Sequence, residues 1–145
     1  MPDGRERVLF LCTGNSARSQ LAEALLRHHA GDRFDAHSAG ADPIGVRPET
    51  VAVLDERGID TSGLRSKPID EYLGKVHFQY LITVCAVTEE HCPRIWPGAS
   101  NHLHWPVEDP ALVVGEGRLE AFRAAREDIE GRILEWLPGV GQPRP

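Results

Sequence analysis

The chain has 145 residues, 41% of them hydrophobic, with 16 Lys and Arg against 22 Asp and Glu for a net charge of −6. That size and apolar share suit one compact core, expected as a single domain over residues 1–138 with a disordered tail over 139–145, and the negative balance weighs against nucleic acid as a partner. No apolar run reaches the roughly 18 residues of a membrane span, and the opening M-P-D-G-R-E-R lacks the apolar stretch of a signal peptide, so no membrane association and a cytoplasmic location are expected.

Val8 to Leu11 is a continuous apolar run without alternation, the pattern of a strand covered on both faces in a parallel sheet. Residues 18–30 form the first helix, with Leu21, Ala24, Leu25 and His28 on one face. Phe34 to Ser38 reads as a second strand ended by Ala39-Gly40, and residues 48–57 as a second helix with Pro48 in its first turn and Gly58 as its stop. Pro68 opens a short helical piece reaching Leu73, and Tyr80 to Cys85 is a third, buried strand. His102 to Trp105 supplies a fourth strand, and Glu120 to Trp136 a last helix with Phe122, Ile129, Ile133, Leu134 and Trp136 on its apolar face. No repeat or second core is visible.

The chemistry gathers where the first strand meets the first helix. Cys12 ends the strand, and the loop to Arg18 contains Gly14 and Asn15, residues that tolerate unusual backbone angles. A tight loop running into a helix N-terminus makes a nest of N–H donors suited to a tetrahedral oxyanion, so Thr13, Gly14, Asn15, Ser16, Ala17, Arg18 and Ser19 are the candidate anion-binding residues. Arg18 adds a planar fork matched to two oxygens of that anion. The same positive field favours the thiolate of Cys12 and makes it a candidate nucleophile, with Ser19 placed to donate its hydroxyl to the sulfur. Asn15 and Ser16 are expected to tie the loop to itself, and Glu23 is either a partner of the loop or a solvated helix carboxylate. The plainer alternative for Cys12 is a buried cysteine before an ordinary turn.

Three cysteines, an odd number, suggest redox or catalytic use over a disulfide framework. Cys12 and Cys85 both end strands at one edge of a parallel sheet, where ligand sites of open α/β folds lie. Cys85 and Cys92, if joined by a helix, would stand about 10 Å apart, beyond the roughly 7 Å that a disulfide spans, so they bond only if that stretch is looped or rearranges. A metal set of Cys85, His91, Cys92, His102 and His104 has the wrong spacing for a zinc knuckle. Asp109, before Pro110, reads from the residues alone as a turn or capping aspartate.

The run C-T-G-N-S-A-R-S-Q-L-A-E-A from Cys12 resembles the signature of the low-molecular-weight phosphotyrosine phosphatase fold and, within it, of the thioredoxin-coupled arsenate reductases. The likeness extends through S-A-G at Ser38, G-I-D at Gly58, R-S-K at Arg65, I-T-V-C…C-P from Ile82 to Pro93 and D-P-A at Asp109. It implies an α/β fold, a three-layer αβα sandwich around a central four-stranded parallel sheet. It also implies catalytic roles for Cys12, Arg18, Cys85, Cys92 and Asp109. In that scheme Cys12 attacks arsenate, Cys85 attacks Cys12 and releases arsenite, Cys92 resolves the disulfide, and Asp109 is a general acid. Phosphate and sulfate would compete with arsenate, and thioredoxin is the expected electron donor, with a low-molecular-weight thiol as the other candidate; no cofactor is implied. Some of these reductases hold a monovalent cation at positions matching Asn15, Glu23 and Ser38. Here Lys67 stands where they carry an acidic ligand, so no metal is expected.

Two enzyme classes compete on these residues. A phosphotyrosine phosphatase needs only Cys12, Arg18 and Asp109, whereas an arsenate reductase needs the two further thiols that this chain has. Gln20 after Ser19, where phosphatases of this fold have proline, leans to the reductase; Ala17 departs from the cysteine common to both. A third reading, an oxyanion- or partner-binding module, is disfavoured by the intact Cys12 and Arg18.

Overall fold

The computed structural model describes residues 4–85 and 99–139. Strands β1 (Glu6–Cys12), β2 (Phe34–Gly40), β3 (Phe78–Thr83) and β4 (Ala99–His104) form one parallel sheet in the order β2-β1-β3-β4. Helices α1 (Arg18–Ala30), α2 (Pro48–Asp55) and α3 (Arg118–Trp136) complete the frame. From β1 the chain moves outward first to β2 and later, on the other side, to β3. The crevice at the carboxyl ends of β1 and β3 is therefore the switch point at which such sheets bind ligands.

β1 is covered on both faces, as its unbroken apolar run predicts. Val8, Phe10 and Cys12 enter the larger buried cluster with the helices, while Leu9 and Leu11 face the smaller cluster of Ala39, Tyr72, Phe78 and Leu81. On that second face the described cover is the turn around Ile69–Glu71, shorter than the piece expected through Leu73. Phe10, Phe34, Phe78 and Phe122 are all fully buried, each contributing about 1.5–3 kcal/mol, so both faces of the sheet are anchored by aromatic side chains.

The helices differ from the sequence expectation in detail. α1 is buried around most of its circumference from Arg18 to Leu26, but His28 is exposed, because the last turn runs past the sheet into solvent. α2 ends at Asp55, and the chain then closes with Gly58 N–H donating to Asp55 O and Ile59 N–H to Leu54 O. Gly58, at φ 68°, supplies the left-handed residue that this closure requires. On α3 the core face is Phe122, Ala125, Ile129 and Ile133, whereas Leu134 is half exposed.

Strand limits moved where ladder partners, not side chains, decide them. β3 begins at Phe78, paired with Ala99, and ends at Thr83, so Cys85 lies two residues beyond it. β4 is an edge strand, largely exposed, and its polar sequence A-S-N-H-L-H hides all but the end of it from a hydrophobicity reading. Cys92 and residues 140–145 lie outside the described residues, and Gly139 closes a short 3-10 turn after α3.

Candidate active site

The loop from Cys12 to Arg18 is shaped from outside by the segment that follows β2. The amide N–H groups of Asp42, Ile44 and Arg47 donate to the carbonyls of Thr13, Gly14 and Ser16 at 2.8, 3.1 and 3.0 Å. Thr50 Oγ1 donates to Ser16 O as well, at 2.8 Å. In a planar trans peptide the carbonyl and the next N–H point in opposite directions, so these bonds turn the amides of Gly14, Asn15 and Ala17 away from that segment. The left-handed residue is Asn15, at φ 47°, and not Gly14. A Cβ on Gly40 would meet Thr13 O at 2.7 Å and Asn15 N at 2.8 Å, which explains the glycine at the end of β2. α1 then starts with no side-chain cap and no acidic residue in its first turn, so no carboxylate of the helix's own first turn offsets the positive end of its dipole.

Behind the loop a buried polar network holds the Cys12 sulfur. Cys12 carries a free, buried sulfur 2.9 Å from Ser19 Oγ. Asn15 Nδ2 donates to the same hydroxyl at 2.8 Å, which leaves the Ser19 hydrogen available to point at the sulfur. Gln20 Nε2 reaches back to Asn15 O, Asn15 Oδ1 and Arg65 O, and the Lys67 N–H donates to Asn15 Oδ1 at 2.7 Å. Asn15 thus ties the loop to α1 and to residue 67, a wider role than closing the loop on itself. Gln20 has a structural task here that proline could not perform.

Glu23 is buried and not a solvated helix carboxylate. Its Oε1 accepts from Ser38 Oγ at 2.6 Å and from Lys67 Nζ at 3.3 Å, while its Oε2 pairs with Arg27 at 2.7 Å. The Lys67 ammonium also donates to Arg65 O at 2.9 Å. A fixed ammonium therefore already neutralises the carboxylate, and these residues do not fit a bound monovalent cation. Among the described residues no group of three or more His, Cys, Asp or Glu could hold a metal ion. His102 and His104 sit on the edge strand, His104 Nδ1 lying 2.6 Å from Thr83 Oγ1.

The loop opens on a cavity of about 300 Å³ lined by Cys12, Thr13, Gly14, Ser16, Ala17, Arg18 and Asp109. That volume is at the small end for ligand pockets and suits a small anion. Arg18 is buried; its Nη1 donates to Val107 O at 2.9 Å and its Nη2 lies 3.7 Å from Asp109 Oδ2. Asp109 also caps the turn Pro110–Leu112, its Oδ1 accepting from Ala111 N at 2.9 Å. One carboxylate is thus both the capping group and a cavity wall. Asn15 and Ser19 do not line the cavity and stand behind it.

Cys85 is buried in the same cluster as Cys12. Val84 N–H donates to Leu11 O at 2.9 Å, which sets residues 84 and 85 beside the end of β1. Three further wall residues, Asp42, Ile44 and Arg47, went unrecognised in the sequence. They carry no motif of their own; the Pro48 helix start marks where Arg47 stands, but not that the segment folds over the loop.

The model of the low molecular weight phosphotyrosine protein phosphatase family matches residues 7–144. An arsenate reductase of Halalkalibacterium halodurans is 40% identical over 129 residues, covering 87% of this chain and 91% of that protein. Among solved structures, an arsenate reductase in the phosphate binding state superimposes with a TM-score of 0.79 at 28% identity, covering 93% of this chain and 98% of the other. The thioredoxin-dependent arsenate reductase of Corynebacterium glutamicum does so with a TM-score of 0.72 at 32% identity, over 97% of this chain and 64% of its own. With this coverage and the Cys12 to Arg18 loop in place, the chain belongs to the low molecular weight phosphotyrosine protein phosphatase family and, within it, to the arsenate reductases.

Proposed function

We propose that this protein reduces arsenate to arsenite with Cys12 as nucleophile, Cys85 and Cys92 as relay thiols, and thioredoxin as the donor. The observation that carries the reading is the free sulfur of Cys12, held by Ser19 at the base of a small cavity that Arg18 and Asp109 also line. The oxyanion lies in the loop of residues 13–19, and Arg18 neutralises it. Asp109, on the cavity wall, delivers a proton to the departing oxygen.

The electrons balance over three thiols. Cys12 Sγ bonds to arsenic as an arsenate oxygen leaves as water. Cys85 then attacks Cys12 Sγ; the sulfur–arsenic pair of electrons goes to arsenic, which leaves as arsenite, and a Cys12–Cys85 disulfide remains. Cys92 attacks Cys85 Sγ and frees Cys12, and an external dithiol reduces the Cys85–Cys92 disulfide. The burial of Cys85 in the cluster under Cys12 supports the first transfer. The similarity to a thioredoxin-dependent enzyme supports the choice of donor. A cytoplasmic setting suits a relay that must return to thiols at each turnover. No helix among the described residues is long and apolar enough to cross a membrane.

The test is arsenate-dependent NADPH oxidation with thioredoxin and its reductase, set beside phosphotyrosine hydrolysis by the same sample. Cys12→Ser loses all turnover. Cys92→Ser completes one reduction and stalls as the Cys12–Cys85 disulfide, read by peptide mapping. All thiols free after arsenate treatment, with phosphoester hydrolysis intact in Cys85→Ser and Cys92→Ser, would establish the phosphatase instead.

A further inference from the structure

The segment that closes the outer side of the cavity brings a second arginine to it. Arg47 is pinned by its backbone N–H to Ser16 O at 3.0 Å, and its side chain lines the same cavity as Cys12 and Arg18. Among the described residues, the Arg47 guanidinium makes no hydrogen bond or ion pair, and its Nε is shielded from solvent with no acceptor. Glu49, two residues on, is committed to Arg118 at 2.7 Å, a bond that holds its carboxyl below the usual range. Asp42 shares the cavity wall but is exposed. Arg18, by contrast, already donates to Val107 O and faces Asp109.

The Nε–H is closed off even from water, so the donors left to the cavity are those of the two Nη nitrogens, which form a charge-assisted pair for an anion. The group that would match it here is a ligand of the cavity. With Asp109 answering Arg18 and Asp42 turned to solvent, Arg47 adds a positive charge to the cavity that a doubly charged anion compensates better than a singly charged one.

We propose that Arg47 is a second anion-binding residue and sets the specificity of the site for doubly charged tetrahedral oxyanions. The inference rests on the oxyanion reading of the loop and adds the residue that selects charge. The backbone anchor on Ser16 survives any side-chain change at position 47, so loop shape and side-chain chemistry can be separated.

The experiment is calorimetric titration of the full chain with sulfate and with perchlorate, two tetrahedral anions that differ in charge and do not titrate near neutral pH. Arg47→Gln is expected to weaken sulfate binding by about tenfold, the scale of one charge-assisted hydrogen bond, and perchlorate binding by much less. Arg47→Lys, which keeps charge but not the fork, gives an intermediate loss on sulfate and covers the case in which the glutamine variant fails to fold. In arsenate turnover the loss in Arg47→Gln falls on KM more than on kcat. A sulfate-to-perchlorate affinity ratio equal to the parent's in both variants overturns the role of Arg47. A parent that binds neither anion overturns the oxyanion reading itself, and the inference with it.

Discussion

Arg18 carries two loads at once, and its substitution separates them from simple charge. One guanidinium nitrogen donates to Val107 O and another faces Asp109, so the residue proposed to clamp an anion also positions the loop that brings Asp109 to the cavity. Arg18→Lys keeps the charge and loses the planar fork. The expected cost is about 1.5–3 kcal/mol, one to two orders of magnitude in kcat/KM for arsenate; efficiency within twofold of the parent would mean that Arg18 clamps nothing. Cys12, Arg18 and Ser19 were legible in the sequence because five intervening residues confine them to one turn. Arg47 was not, because only the folding of residues 42–47 over the loop brings it to the cavity. In Asp109 the capping role read from the residues and the place at the site implied by the resemblance meet in one side chain.

At the scale of elements, the loop is held by a polar wedge between α1, the end of β2 and residues 65–67. Lys67 and Glu23 are both buried, and their ion pair is joined by Ser38 from β2 and by Arg27. Removing one partner of such a pair leaves a charge in the interior without compensation, which typically costs about 3–5 kcal/mol. Lys67→Met should therefore lose stability on that scale in urea unfolding, and Glu23→Gln added to it should restore part of the loss. Additive losses in the double variant would show that the two side chains do not act as a pair. The sequence exposed the helix and strands of this region through their apolar runs, and left Glu23 undecided between loop partner and solvated carboxylate. Its burial depends on Ser38 and on residue 67, 15 and 44 positions away. The edge strand β4 was only partly legible for a related reason: its place is set by hydrogen bonds to β3 more than by its polar side chains.

Across the whole molecule, α3 is latched to the helices beside it by charges distant in sequence. Arg118 pairs with Glu49, Arg123 and Arg126 with Glu56, and Arg57 and His29 with Glu130. The hydrogen bonds from Arg123 and Arg126 hold the Glu56 carboxyl well below its ordinary 4.5, at about 2. Glu49 is lowered by its bond to Arg118. Burial works against Glu130, but His29 and Arg57 outweigh it and its value is lowered too. A carboxyl whose value is depressed on folding adds stability that is complete above its unfolded value and is lost as pH falls through its folded one. For Glu56 that window runs from about 4.5 down to about 2. The parent's melting temperature should fall across it as Arg123 and Arg126 lose their partner. In Glu56→Gln the fall should be shallower, starting from a melting temperature only slightly lower at neutral pH, because exposed ion pairs contribute little there. Raised salt should shrink the difference between the two proteins at neutral pH, since solvent-exposed charges are the ones it screens. Superimposable melting curves for parent and variant from neutral pH down to 2 would place the acid sensitivity elsewhere, with Glu130 and its partly buried bonds to His29 and Arg57 the next group to substitute.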